Sequence, residues 1–529
     1  WLQPKQEKLI ELPANAWLSM QTTVRDTTFE YIANPSDSLL HGRVQAQAVV
    51  MHGKPEAMTL TEFEYDTLDN STVLETLQTV IGFDDGEPVE GEAEPRNSTK
   101  QITLRQCVLI NQPLLNLDDN EVEIAYEYDE LSRVTKETVA PREPEYTASR
   151  SYSYTLVATD GQLARQTEVD VKGVATRAEL DGMSRVVKTE RHDADAQDEK
   201  RKVEFRTNYT ADYDVFGNLV KEVQFDWMDE IDPDNPGGPV TRITLELPKT
   251  IKYDGWNQQY AEIGADGVMI VERTDLIGSS PSAQALAVDS PRKAPRHANG
   301  LRPGQTLADG PQALRTSWKQ TPDGKIKGGK TMQWLNTFDH PIEEQRVDTT
   351  GKRISRHRYF YDGLGRNVRE IDARGATERS VYDVFDRVVD KILADGSTVH
   401  REYAQHSGED LPTSIAVNGK LLGEQRFDGL DRMIESKTGG RKRVMHYLPG
   451  HRQASWVITP RNARIDYVYK PQLGEEPLQR AVIGSGVEAR YDYDKHNARL
   501  LYCKEQGEEL SRTYFSTGQV RSEARVQEG

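Results

Sequence analysis

Cysteine is almost missing. Of 529 residues only Cys107 and Cys503 carry a thiol, which cannot make a disulfide framework, and neither lies in a CxxC or Cys/His cluster of the kind that holds zinc. Long apolar runs are missing too: no stretch approaches the roughly 20 residues that a membrane helix needs. Positive charge is in short supply. With 67 Lys and Arg against 85 Asp and Glu, the net charge is −18, and a nucleic-acid footprint has no clustered basic surface to stand on. Acidity of this kind ordinarily serves solubility. The chain starts at Trp1 without a signal peptide, and we expect it to be a processed or excised piece of something longer.

Apolar residues make up only 36 % and the mean hydropathy is −0.72, values at which disorder is a concern. The 22 tyrosines, 7 tryptophans and many short Val/Ile/Leu runs point elsewhere. A chain of thin strands, each with one face open to water, has the same composition.

What the sequence does contain is a repeat. The stretch YDGLGRNVREIDARGATERSVYDVFDRVVD runs from Tyr361 to Asp390; its Tyr-Asp-x-x-Gly-Arg returns as Tyr-Asp-x-x-Asp-Arg at 382–387 and as FDGLDR from Phe427. From Phe338 onward the aromatic anchors Tyr361, Tyr382, Tyr403, Phe427, Tyr447, Tyr469, Tyr493 and Tyr514 follow at steps of 23, 21, 21, 24, 20, 22, 24 and 21 residues. Looser matches occur at Tyr65, Tyr128, Tyr213 and Tyr253, and LDGMSRVVKTE at Leu180 keeps the pattern with Leu for the aromatic. Repetition at such a period signals an array rather than one irregular domain.

The period decomposes into two strands and two turns. An aspartate opens a turn because its carboxylate accepts a backbone N–H two residues on, and Gly, Asn or Asp closes it by tolerating positive φ. In YDVFGNLVKEV, Asp214 opens and Gly217-Asn218 closes. RVVDKIL from Arg387 then reads as a strand, Asp395-Gly396 as a hairpin turn, and STVHREYA (397–404) as the returning strand. Asp160-Gly161, Asp266-Gly267, Asp323-Gly324 and Asn418-Gly419 mark further turns. A helix does not fit, since the apolar runs are too short and Asp-Gly follows at once. The sequence therefore predicts an all-β chain of antiparallel hairpins joined edge to edge in one meander. We divide it into a leading β section (1–60), a divergent repeat region (61–275), a Pro/Ser/Gly-rich loop or linker (276–312) and a regular repeat region (313–529), with DDGEPVEGEAEPRNSTK (84–100) as an acidic excursion.

Motifs that could carry chemistry mostly fail on context. Gly324–Thr331, GKIKGGKT, satisfies the phosphate-loop spacing, but that chemistry needs a strand before and a helix after; the flanking text is hairpin-like, and Gly328-Gly329 reads as a turn. An enzyme using this loop would show nucleotide-dependent thermal stabilisation that Lys330→Ala abolishes. The histidines are scattered, with His400 and His406 near a turn. Asp229, Asp232 and Asp234 cluster in DEIDPDNPGG (229–238) without the spacing of a calcium loop. We assign no catalytic, cofactor-binding or metal-binding residue and no cofactor. Tyr361, Tyr382, Tyr403 and Phe427 are expected to align as cross-strand pairs, with a sugar-binding aromatic ladder as the rival reading. Arg366, Arg387 and Arg432 are expected to pair with turn aspartates of adjacent units.

YDGLGRNVREID and its siblings resemble the YD repeats of the RHS family, clearly over 313–529 and loosely over 60–275. The resemblance implies a β-strand spiral that closes into a hollow shell, as in bacterial RHS polymorphic toxins, the B and C components of insecticidal toxin complexes, wall-associated proteins and teneurins. In the toxins the shell encloses a cytotoxic C-terminal segment released by an aspartate-dependent self-cleavage in an Asp-Pro-x-Gly-Leu context. That motif does not occur here, so cleavage and toxic activity, if any, are expected beyond residue 529 and the wall itself is expected not to be an enzyme. The implied partners are a toxin domain and core of the same precursor, together with type VI secretion or toxin-complex components. Neither nucleic acid nor a membrane span is implied. The implied setting is assembly in a bacterial cytoplasm before secretion. Eighteen to twenty hairpins at about 4.8 Å per strand give a contour on the order of 180 Å, roughly 55 Å across if wrapped once. The alternative is a cell-surface carbohydrate-binding or adhesion protein on the same repeats, with exposed aromatic strips.

Overall fold

A computed structural model describes residues 3–11, 22–83, 98–157, 159–196, 204–230, 234, 241–277 and 311–527. They form thirty-seven strands, from β1 (Gln6–Glu11) to β37 (Val520–Gln527), interrupted by two short 3₁₀ turns at Pro55–Ala57 and Pro471–Leu473. Every strand pairs antiparallel with its predecessor and its successor in the chain, giving one continuous meander. The all-β hairpin array read from the sequence is the fold. Strand pairing continues from Met269–Leu276 directly to Ala313–Gln320, while the loop assigned to 276–312 lies, over 278–310, outside the described residues, as does most of the acidic excursion at 84–100.

The sheet is a single layer. Strands such as Ala164–Val169, Val388–Ile392, Pro412–Val417 and Leu500–Glu505 are half-exposed at every residue, which a sheet sandwiched on one face does not show. Leu335 and Ile434 are the largest side chains fully sealed from solvent, and the compact apolar groups are small: Leu314, Met332, Trp334 and Val347 in one, Ile434, Val444 and Trp456 in the other.

Alternate turns fall on opposite rims of this wall. One rim carries the aromatic-Asp motif turns, which we call the motif rim; the other carries the remaining turns. The wall curves until the motif rim of late hairpins meets the opposite rim of early ones. The turn after the seventh strand (Pro113–Leu117) touches the turn after the thirtieth (Arg441–Tyr447), through Asp119 and Arg452. The turn after the eleventh (Ala164–Val169) touches that after the thirty-fourth (Val487–Tyr493), through Lys172 and Asp494. The turn after the thirteenth (Val186–His192) touches that after the thirty-sixth (Glu508–Tyr514), through Asp195 and Thr517. One winding therefore takes about 23 strands, a contour of about 110 Å and a diameter of about 35 Å. This corrects the single 55 Å wrap expected from the sequence: the chain overlaps itself, and each winding is narrower.

Candidate functional site: the stapled turns and the seam between windings

The motif turn is built from its aspartate outward. In Asp362-Gly-Leu-Gly-Arg366, Asp362 Oδ1 accepts from the backbone N–H of Leu364 at 2.9 Å and of Arg366 at 3.0 Å. The Gly365 N–H donates to the Asp362 carbonyl at 3.1 Å. Gly365 sits at φ 83°, and Asp386 and Asp431 hold the same place at 64°, a left-handed conformation that Gly takes freely and Asp tolerates. The strand register slips by one residue at each motif tyrosine, as at Phe360/Tyr361 and Val381/Tyr382. A type I turn followed by a bulge is the standard longer hairpin connection. The carboxylate bond to the residue two places on was legible in the sequence; the second bond, to the arginine N–H, was not.

The arginine has two tasks. Its Nε donates to the aspartate of its own turn: Arg366 to Asp362 at 2.7 Å, Arg387 to Asp383 at 2.8 Å, Arg432 to Asp428 at 2.8 Å. Its Nη1 then reaches the next unit along the motif rim. Arg366 donates to the Asp383 carbonyl at 2.8 Å; Arg387 donates to the carbonyls of Ser407 and Glu409 at 3.0 and 2.9 Å; Arg432 donates to those of Leu448 and His451 at 3.0 and 2.9 Å. The expected pairing with aspartates of adjacent units is thus corrected, since the main partner is intra-turn and the neighbour supplies carbonyls; Arg366 alone of the three also reaches a neighbouring carboxylate, Asp386 at 3.1 Å. A planar fork with five donors makes this double duty possible.

The same guanidinium covers the next tyrosine ring. Arg366 lies over Tyr382, Arg387 over Tyr403 and Arg432 over Tyr447, 4.5 to 5.1 Å from the ring centres, and Arg133 over Tyr154 and Arg185 over Tyr213 repeat this earlier in the chain. The hydroxyls of three motif tyrosines donate back to a backbone carbonyl of the preceding unit: Tyr361 to Pro341 at 2.9 Å, Tyr382 to Asn367 at 2.8 Å, Tyr403 to Val388 at 2.7 Å. Burial pushes the Tyr361, Tyr469 and Tyr493 hydroxyls up to about 12, with nearby tyrosines and glutamates adding to it. Tyr382, Tyr403 and Tyr447 are therefore not mutually paired as expected but covered by arginines, in geometry suited to cation–π attraction, while the Tyr361 ring lies against His340, ring centres 5.0 Å apart. Phe427 keeps the place without the hydroxyl.

Charge favours the ionised turn aspartate. The Arg133 guanidinium bonded to Asp129, and likewise Arg185 on Asp181, holds the carboxyl below its ordinary value, with backbone N–H donors adding to the effect. For Asp362, burial raises the pKa, but Arg366 and the turn N–H groups outweigh it and the result is lowered.

Where the windings meet, a seam forms that sequence reasoning missed. Arg452 bonds Asp119 and the Asn120 side chain, each at 3.1 Å. Gln472 Nε2 donates to Glu143 at 2.6 Å, and Lys470 pairs with the same carboxylate. Lys495 pairs with Glu145 and Lys172 with Asp494, and Lys54 reaches Gln405. His52 meets Phe385 edge-on, ring centres 5.5 Å apart, and Phe83 lies against His406. Gly82 and Gly429 pass so closely that a Cβ on either would sit inside the other's backbone. These partners lie 322 to 351 residues apart and share no local pattern.

The other sequence candidates go separate ways. Gly328 and Gly329, at φ 72° and 85°, form a two-residue bulge inside the strand Ile326–Leu335, between Lys327 and Lys330. Their assignment as a turn is corrected, and GKIKGGKT is strand rather than a loop capped by a helix. A Cβ on Gly329 would collide with the Val347 carbonyl. His400 bonds Asp390 at 2.7 Å and His406 approaches Asp431 at 3.2 Å. Asp232 and most of 229–238 lie outside the described residues. Among the described residues no group of three His, Cys, Asp or Glu is placed to hold a metal ion, and no helix is long and apolar enough to cross a membrane.

No family model and no curated protein sequence matches this chain. Among solved structures it is similar to TcdB2-TccC3 without its hypervariable C-terminal region (TM-score 0.43, 11 % identity, 94 % of this chain and 27 % of that one). It is similar to the TcdB2-TccC3-Cdc42 structure (TM-score 0.42, 11 % identity, 96 % and 27 %). A third likeness is to the Photorhabdus luminescens Tc holotoxin pore carrying TccC3-D651A (TM-score 0.20, 12 % identity, 96 % and 32 %). The chain spans less than a third of the length of these structures.

Proposed function

We propose that this chain is a length of container wall in a bacterial toxin, whose task is to sequester a polypeptide cargo until delivery. The observation that carries the reading is the seam: a single-layer sheet that meets itself after about 23 strands surrounds a space. The YD-type repeat supports the RHS polymorphic-toxin version of this reading. Removing side chains from a bore of about 35 Å leaves about 25 Å clear, while a folded 100-residue domain has a radius of gyration of about 13 Å and would not fit. The cargo is accordingly held unfolded, and confinement rather than a catalytic residue keeps it inactive. The cargo belongs to the same precursor, the wall has no enzymatic activity of its own, and assembly occurs in the cytoplasm before secretion.

The test is limited proteolysis with hydrogen exchange on the precursor that contains this wall. Cargo amides should exchange as fast as an unfolded chain while their peptide bonds resist protease until the wall is denatured. Cargo cleaved as rapidly as when isolated, or protected as a folded domain, would end the proposal. The carbohydrate-ladder reading is not favoured, since the Tyr382 and Tyr403 rings lie under arginines and Tyr361 against His340 instead of forming an open strip.

A further inference from the structure

One hollow lies on a face of the wall. The strands Met433–Thr438, Arg441–Tyr447, Ala454–Ile458 and Arg464–Tyr469 run side by side, and across one of their faces opens a cavity of about 310 Å³. Residues paired across strands project to the same face, so the register lays the lining out in rows. Ser436 sits opposite Arg443 at one end. Met445, Val457 and Ile465 follow as an apolar floor, each opposite the next. Tyr447 and Tyr467, two residues on from Met445 and Ile465, close the other end. From the polar row to the aromatic row is four residues of strand, about 13 Å.

Most polar groups in this cavity have nothing to bind within the chain. Tyr447 donates its hydroxyl to the Met433 carbonyl at 2.8 Å. The Ser436 and Tyr467 hydroxyls and the Arg443 guanidinium have no hydrogen-bond or ion-pair partner among the described residues. The motif arginines differ, each holding an aspartate at 2.7 to 2.8 Å. Glu435, next to Ser436, cannot serve Arg443: it pairs in register with Val444, on the other face, and is bound there by Lys442 at 3.2 Å. Arg443 is thus the only charged residue lining the cavity, in a chain of net charge −18. One guanidinium beside a hydroxyl suits a single negative charge, and its planar fork suits a carboxylate. The floor and the two tyrosine rings suit a flat apolar group.

We propose that this cavity binds a small amphipathic carboxylate, its flat apolar group lying over Met445, Val457 and Ile465 beside the tyrosine rings and its carboxylate held by Arg443 and Ser436. A largely apolar hollow with a few convergent polar groups is the usual form of a small-ligand site, and this one lies at the lower end of their range of sizes. This inference rests on the cavity alone and stands whether or not the wall encloses cargo.

Isothermal titration calorimetry of the chain with naphthylacetate tests it. Binding should saturate at one site with a Kd below about 1 mM. Naphthylacetamide keeps the rings and loses the charge, and acetate keeps the charge and loses the rings; each should bind at least about tenfold more weakly. Arg443→Gln, at an exposed position, should weaken naphthylacetate at least about tenfold and leave the amide unchanged. Val457→Trp fills the floor and should abolish binding of both. Arg461→Gln, an exposed cation in the turn after Ala454–Ile458 and outside the cavity, should change nothing. An unchanged circular dichroism melt verifies the fold of each variant. No saturable binding to the wild-type chain, equal binding of acid and amide, or an Arg443→Gln chain that binds as tightly as wild type would overturn the proposal.

Discussion

The turns Asp214-Val-Phe-Gly217 and Asp383-Val-Phe-Asp386 are nearly the same text in different windings. Both use Oδ1 to hold the N–H groups two and four residues on, at 2.9 to 3.0 Å. Beyond the turn they diverge. Phe216 is 80 % exposed, whereas Phe385 packs against His52 across the seam. The first turn ends in Asn218, which binds Asp214 and the Asn257 side chain; the second ends in Arg387, only 8 % exposed, which grips Asp383, two carbonyls and the Tyr403 ring. The motif makes the turn. The arginine makes one hairpin hold the next, and position in the spiral decides whether the tip meets water or protein.

Substitutions at the two turns should separate these roles. Arg387→Ala leaves Asp383 and two carbonyls without their donor and should cost about 3 kcal/mol in urea unfolding, whereas Asn218→Ala should cost about 1 kcal/mol. Equal effects would mean that the staple does not hold hairpin to hairpin. Gly82→Ala forces the rims apart and should cost about 2 kcal/mol. Its counterpart at a free rim, Gly182→Ala, has open space and should remain within about 0.5 kcal/mol of wild type; a neutral Gly82→Ala would argue that the windings are not in contact. Phe385→Ala should lower stability by about 1 kcal/mol, and Phe216→Ala should leave it unchanged within about 0.5 kcal/mol. A loss of the same size at both positions would put Phe216 in a contact the isolated wall does not have.

The smallest effect is on pH. Asp129, Asp181 and Asp362 have lowered pKa values in the folded wall, so their contribution is fully present above the unfolded aspartate pKa of about 3.9 and is lost as pH falls through the folded value. The melting temperature should be flat in this respect down to about pH 5 and decline below about pH 4. The decline should be shallow per turn, since water screens these half-exposed pairs, and Asp129→Asn with Asp181→Asn should flatten it further. A decline unaffected by those substitutions would assign it to other carboxylates.

The hairpins were legible because their causes are local: Asp-Gly at 395–396, the 21-residue step, and the aspartate of each motif turn all act within a few residues. The double reach of Arg387 was half legible. Its spacing from Asp383 is in the motif, but its second set of partners, Ser407 and Glu409, depends on the register slip at Tyr403, which no residue type announces. Gly328-Gly329 reads as a turn in the sequence and forms a bulge in the structure because paired glycines with positive φ serve both. The seam was illegible: Asp119 and Arg452 are ordinary charged residues in ordinary turns, and only the accumulated curvature of some 23 strands brings them together.

That curvature is the central claim, and zero-length carbodiimide cross-linking read by mass spectrometry tests it most directly on the native side chains. The wall described here predicts intramolecular isopeptide bonds joining Lys172 to Asp494, Lys470 to Glu143 and Lys495 to Glu145 in the monomer. Cross-links confined to neighbouring strands, with those three pairs missing while their local lysines react, would contradict a sheet that winds back onto itself.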